Sequence, residues 1–358
     1  MNRRTFLKGL GVSAAVVGAG AFQKKGAQAE KGEQVWRMVT SWSKKLTPIF
    51  QNGAEQFAEN LAIMSGGRLK IQVYAGGEFV KPLEVFDAVS SGTVECGHAA
   101  SYYWAKKVPA AQWFATVPFG LKASELNTWL HKGGGLELWR EVYAPHNVIP
   151  MPAGNTGIQM GGWFNKPINN PEDFKGLKMR MPGLGGRVLS KLGAEVILLP
   201  AAEIYPALES GKINATEWIG PYDDMGMGFH RIAKYYYAPG WHEPGTGLEF
   251  IVNRKAYESL PPDLRIILKA ATSDLATQVF TEYEFYNTDA MLKIVKERKV
   301  QLRLFPQAVL KELELISAKV LEEEASRDAM SRKVHDAYTR FKKDIRKYAL
   351  LKGAKMRI

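Results

Sequence analysis

Over the first two-thirds of the chain, short runs rich in β-branched and aromatic residues alternate with segments whose apolar residues recur three and four positions apart. The runs from Val35 to Ser41, Leu69 to Tyr74, Val94 to Ala99, Trp113 to Val117 and Val148 to Pro152 have the length and composition of strands. Between them, Phe50, Ala54, Phe57, Ala58 and Leu61 share one helical face, and Pro82 at a helix start leads into Val85, Phe86 and Val89. A second set of strands is expected at Leu177 to Met181, Val196 to Leu199, Ala215 to Ile219 and Leu248 to Asn253. Strands alternating with helices predict an α/β fold of parallel sheets covered by helices. The last third reads differently, with charged helical patterns from Pro261 to about Lys299 and from Pro306 to about Tyr348, separated by a strand-like run from Val300 to Leu304. Helices of this length brace two lobes, meet a partner chain, or present a solvated amphipathic face.

At the N-terminus, Arg3-Arg4-Thr5-Phe6-Leu7-Lys8 precedes an uncharged apolar run from Gly9 to Phe22 and then Ala27-Gln28-Ala29, the layout of a twin-arginine signal peptide cut after Ala29. The run is too short and too rich in glycine to cross ~30 Å of hydrocarbon, so the expected address is the periplasm. The formal charge of +12 falls by five with the loss of Arg3, Arg4, Lys8, Lys24 and Lys25. The remaining surplus is scattered, heaviest at Lys342-Lys343 and Arg346-Lys347, with no aromatic-interleaved basic stripe. That argues against nucleic acid as a partner and weakly favours anionic ligands. Cys96 is the single cysteine, which excludes an intramolecular disulfide and a multi-cysteine metal site. The mature chain exceeds the size at which single cores stop growing, about 250–300 residues, so two lobes are expected. With no internal repeat or low-complexity linker, the lobes should be joined by several crossovers.

Candidate chemistry concentrates between Asn155 and Glu243. Arg180 ends the expected strand Leu177-Lys178-Met179-Arg180, and ligands of open α/β folds bind beyond the carboxyl ends of strands. A guanidinium there suits a carboxylate bidentately; its plain alternative is a structural ion pair, for instance with Glu217. The Gly183-Leu184-Gly185-Gly186-Arg187 stretch lacks the phosphate-loop pattern and reads as a tight strand-to-helix turn.

Two ordered motifs, PEDFKGLKMR from Pro171 to Arg180 and EIYPALESGKINATEW from Glu203 to Trp218, closely resemble the substrate-binding proteins of tripartite ATP-independent periplasmic (TRAP) transporters, the DctP family. The resemblance covers nearly the whole mature chain and implies a two-lobed periplasmic solute-binding fold with a hinge and an interlobe cleft. In that family the first motif delivers the arginine that pairs with the ligand carboxylate, which implies this role for Arg180. Ser101-Tyr102-Tyr103-Trp104, Gly154 to Gln159, Glu217-Trp218 and Trp241 to Gly245 resemble a narrower branch, the receptors for 2-oxo and 2-hydroxy monocarboxylates, in which a bound cation helps to hold the ligand. The matching positions are Gln159, Glu217, Trp218 and Glu243. Two glutamates, an amide oxygen and the Trp218 carbonyl make a hard oxygen set suited to Na⁺ or Ca²⁺. Tyr102, Tyr103 and Asn155 are further candidates for ligand binding. The expected division is about 30–155 with about 246–285 for one lobe, about 156–245 with about 286–330 for the other, and a helical extension over about 331–358. The resemblance also implies delivery to TRAP membrane subunits, no nucleotide site, and a homodimer through the C-terminal helices.

Other classes fit less well. The six histidines form no His-Glu-x-x-His motif and there is no Gly-x-Ser-x-Gly elbow. His242 beside Glu243 could be drawn as the base of a metal-dependent hydrolase or lyase. An ABC-type, dicarboxylate or sugar receptor would share the two lobes and the export signal. Neutral sugars, however, need stacked aromatics and amides rather than an arginine aimed at a carboxylate.

Overall fold

The computed structural model describes residues 32–297 and 299–353, so the expected leader at 1–29 lies outside the described residues. Eleven strands are found among them: β1 Gln34–Thr40, β2 Leu69–Tyr74, β3 Cys96–Ala99, β4 Val148–Asn155, β5 Gly162–Phe164, β6 Lys178–Arg180, β7 Glu195–Ile197, β8 Ala215–Thr216, β9 Tyr235–Ala238, β10 Gly247–Asn253 and β11 Gln301–Leu304. They form two sheets, in the orders β2-β1-β3-β10-β4 and β11-β9-β5-β8-β6-β7. Each sheet anchors one lobe.

The sheets are mixed rather than parallel throughout. β1, β2 and β3 run parallel, as do β6, β7 and β8, and β11 with β9. β10 returns from the second sheet and enters the first between β3 and β4, antiparallel to both. β5 is antiparallel to both of its neighbours. An inserted strand is covered on both faces, which is why Leu248 to Val252 is a continuous buried run without alternation. β5 and β9 have no counterpart among the expected strands. β5 is three residues long behind Gly161, and β9 is four residues between a lysine and a proline.

The run expected as a strand from Trp113 to Val117 is instead a short helix, Gln112–Ala115. Trp113 and Phe114 are both fully buried, so no alternation marks them, and a short apolar run does not by itself distinguish strand from buried helix. Phe114 lies flat between two indoles, with ring centroids 5.5 Å from Trp129 and 5.0 Å from Trp139. The helix Pro262–Glu297 matches its expected span, whereas the pattern from Pro306 to Tyr348 divides into Gln307–Ala325 and Ala329–Gly353 around Ser326 to Asp328. The glycine stretch after Arg180 forms the first turns of the helix Gly183–Lys191.

The chain passes between the sheets at 156–161, at 239–246 and along the helix Pro262–Glu297. That helix is tied to the second lobe by a pair of buried acids. Tyr283 donates to Asp223 at 2.9 Å, while Asp224 accepts from Trp163 Nε1 at 2.8 Å and from Tyr236 at 2.7 Å. Removal from water pushes both carboxyls up to about 7, against the opposing pull of these donors.

Two outcomes follow from this packing. Trp139→Ala removes one side of the Phe114 sandwich and should cost about 3–5 kcal/mol of unfolding free energy in a chemical denaturation series. Because Asp223 and Asp224 hold their protons to about pH 7 when folded but release them near pH 4 when unfolded, their contribution to stability is fully present below pH 4 and declines as pH rises to about 7. Asp224→Asn should flatten the fall in denaturation midpoint measured between pH 5 and pH 8.

Candidate functional site

The second sheet places Arg180 at the end of its strand β6, flanked by β7 and β8 in parallel register, with Ile197 and Thr216 opposite Arg180. The chain leaving β7 supplies the Leu199 carbonyl, which accepts from Arg180 Nε at 3.2 Å. The chain leaving β8 supplies Glu217 and Trp218. Arg180 Nη1 makes a short ion pair with Glu217 Oε1 and also reaches the Glu217 carbonyl at 3.3 Å. The guanidinium stands 4.9 Å from the Trp218 ring centroid. Arg180 and Glu217 are each 1% exposed, and Arg180 Nη2 is buried with no hydrogen-bond partner. Burial opposes the guanidinium's charge, but Glu217, Tyr103 and Tyr102 carry its pKa above the ordinary value.

Both crossover segments meet this pair. From 156–161, Gln159 donates its main-chain N–H to the Glu243 carbonyl at 3.1 Å and its side-chain amide to Thr156 Oγ1 at 3.1 Å. Its side-chain oxygen is buried and unpartnered. From 239–246, His242 Nε2 lies 3.4 Å from Glu217 Oε2, and Glu243 accepts a short hydrogen bond from Thr246. Glu217, His242 and Glu243 each bring a ligand atom to within 4.8 Å of the others. The Glu243 carboxyl is held well above the usual range, first by burial and then by the negative charge of Glu217.

The first lobe contributes Tyr102 and Tyr103 from the turn Ser101–Trp104 beyond β3, their rings edge-on at 4.9 Å. Burial pushes the Tyr103 hydroxyl up to about 12, against the charge of Arg180, and Tyr102 well above its ordinary value. Asn155 ends β4 fully buried, but its bonds go to the Gly157 N–H at 2.9 Å and Asn127 at 3.5 Å; none joins it to Arg180 or the glutamates among the described residues. Gly183 makes the approach of the lobes possible. Its φ of +55° disfavours a side chain, and a Cβ there would stand 3.2 Å from that of Tyr102.

Arg180, Gln159, Glu217, Trp218 and Glu243 are thus brought together, with Tyr102 and Tyr103 facing them. His242 and Thr246, absent from the expected set, join it. Thr246 was visible only as the third residue after Glu243 in a Pro-Gly turn, and the placement of His242 against Glu217 depends on a non-local approach. The set fits a cation by its chemistry: two buried carboxyl groups, of which only Glu217 is ion-paired with Arg180, stand with an unpartnered amide oxygen and His242 alongside. An unpartnered buried Nη2 equally suits an added carboxylate.

The family model of bacterial extracellular solute-binding protein family 7 matches residues 38–328. The chain is similar to a monocarboxylate 2-oxoacid-binding periplasmic protein of Nostoc sp., 46% identical over 310 residues, which span 87% of this chain and 84% of that protein. Among solved structures it is similar to a TRAP periplasmic solute-binding protein from Colwellia psychrerythraea with bound calcium and pyruvate, at 42% identity and a TM-score of 0.86. It is also similar to one from Pseudoalteromonas atlantica with bound sodium and pyruvate, at 41% identity and a TM-score of 0.86. Each superposition covers 89% of this chain and 97% of the other.

Proposed function

This chain belongs to bacterial extracellular solute-binding protein family 7, and on that premise we propose that it is a periplasmic receptor, without catalytic turnover, for a small 2-oxo or 2-hydroxy monocarboxylate held in the interlobe cleft with Na⁺ or Ca²⁺. The observation that carries this reading is a fully buried arginine with a spare donor, Nη2, beside a buried two-glutamate cluster with a spare acceptor, Gln159 Oε1. Ligand titrations of the variants described below test it. Arg180 takes the ligand carboxylate, and Tyr102, Tyr103 and Asn155 are the neighbouring polar groups of the first lobe. Gln159, Glu217, Glu243 and the Trp218 carbonyl hold the cation, which would supply an electrophilic contact for the carboxylate and its adjacent keto or hydroxyl oxygen. Closure around these groups excludes water and strengthens each attraction.

Delivery to TRAP membrane subunits, export by the twin-arginine route and the two-segment composition of each lobe (about 30–155 with 246–285, about 156–245 with 286–330, and the extension over about 331–358) are parts of the same reading. Assembly as a homodimer is another. Supporting it, Phe285, Leu292 and Val295 lie exposed at helical spacing on one face of Pro262–Glu297.

Isothermal titration with pyruvate in the presence of Na⁺ or Ca²⁺ should show tight binding that chelation weakens. Arg180→Ala should lose about 2–5 kcal/mol, or roughly thirtyfold and more in affinity; affinity equal to wild type would remove Arg180 from the site. Glu243→Ala should weaken binding at low cation and recover part of it as the cation is raised. Light scattering should give a dimer mass that Phe285→Asp reduces, and a monomer in the wild-type chain would refute the dimer.

A further inference from the structure

Beside the tyrosine pair lies a groove of about 510 Å³. Tyr102, Tyr103 and Met181 form its inner wall. Its rim carries Lys106 from the first lobe and Arg187 and Arg327 from the other side. A single carboxylate, Glu324, opposes these three cations. It is fully buried, pairs with both Arg187 and Arg327, and accepts from Gln112 at 3.3 Å. Lys106 is exposed and has no carboxylate partner among the described residues. The groove therefore carries a net positive charge and ends against residues that border Arg180.

We propose that this groove is the approach route of the anionic ligand, in which Lys106, with Arg187 and Arg327, gathers the carboxylate before it passes Tyr102 and Tyr103 to Arg180. The inference rests on the receptor reading above and adds where the ligand enters and what draws it in. A basic concavity walled by low-dielectric protein raises the local concentration of a small anion and so acts on association more than on dissociation. Arg187 and Arg327 are bound to Glu324 and keep the rim in shape, which leaves Lys106 as the charge that can be altered without disturbing packing.

The test is stopped-flow tryptophan fluorescence of the full mature protein mixing with pyruvate at saturating Ca²⁺ and low ionic strength. Lys106→Glu should lower the association rate constant about fourfold, the effect of reversing one charge felt by the ligand from about 10 Å as it nears the rim, and added salt should erase the difference. Dissociation should be unchanged. Lys255→Glu, beyond the opposite end of β10, should leave association within about twofold and so accounts for the change in net charge. An unaltered association rate in Lys106→Glu, or a change confined to dissociation, overturns the proposal. If wild-type protein shows no pyruvate binding by calorimetry, the receptor reading itself fails, an outcome separate from wild-type affinity with an unaltered rate in the variant.

Discussion

The arrangement of the cleft depends on the burial of one guanidinium. Taking an arginine out of water costs several kcal/mol unless its charge and its N–H groups are met. Arg180 is met from both sides because β6 lies between β7 and β8, whose outgoing chains bring the Leu199 carbonyl on one side and Glu217 with Trp218 on the other. An edge strand could not offer this. The parallel core of the second sheet thus converts a position at the end of a strand into a desolvated cationic site, and one donor of that site, Nη2, remains without a partner.

The crossovers then become part of the chemistry. β4 hands the chain to 156–161 and β9 hands it to 239–246, and the two segments are joined by the Gln159 N–H to Glu243 carbonyl bond. Any hinge motion that passes through these segments moves Gln159, His242 and Glu243 relative to Glu217 on the second sheet. Gly183 and Gly185 permit the approach: a Cβ at Gly185 would stand 2.9 Å from that of His242, and Gly183 abuts Tyr102. The glycines read as a turn in the sequence therefore also set how closely the helix after Arg180 meets the rest of the cleft.

Much of this was legible in the sequence for identifiable reasons. β1, β2 and β10 stood out because six or seven residues rich in valine, isoleucine and aromatic side chains give a strand pattern long enough to read, and Arg180 because it stands where the shorter run from Leu177 ends. Trp113 and Phe114 misled because burial on every side removes the periodicity that separates strand from helix. β5 was too short to carry any period. The antiparallel insertion of β10 has no local signature at all, since strand direction is decided by which sheet the chain has come from. For the site, residue type and motif led to Gln159, Glu217 and Glu243, whereas the contacts of His242 with Glu217 and Gly185 arise between segments far apart in sequence. The bonds of Asn155 to Gly157 and Asn127 were equally invisible, because a buried amide can be satisfied by any neighbour.

Charge balance links the cation and the anion of the proposed complex. The Glu243 carboxyl, held well above the usual range in the cluster alone, gives up its proton if it is to bind a cation; Arg180 then neutralises one of two carboxylates and leaves the buried cluster one negative charge in excess. A monocarboxylate alone would add a second, in surroundings where an unpaired charge is costly. A divalent cation arriving with the carboxylate brings the cluster to neutrality. A monovalent cation leaves one negative charge, to be met by a proton. Under either ion the carboxylate and the cation each lower the cost of burying the other, so their binding is reciprocal. Arg180 by itself would retain an anion with little discrimination. The requirement that a hard cation and a carboxylate enter together is what would restrict the cleft to ligands with an oxygen next to the carboxylate, able to contact both.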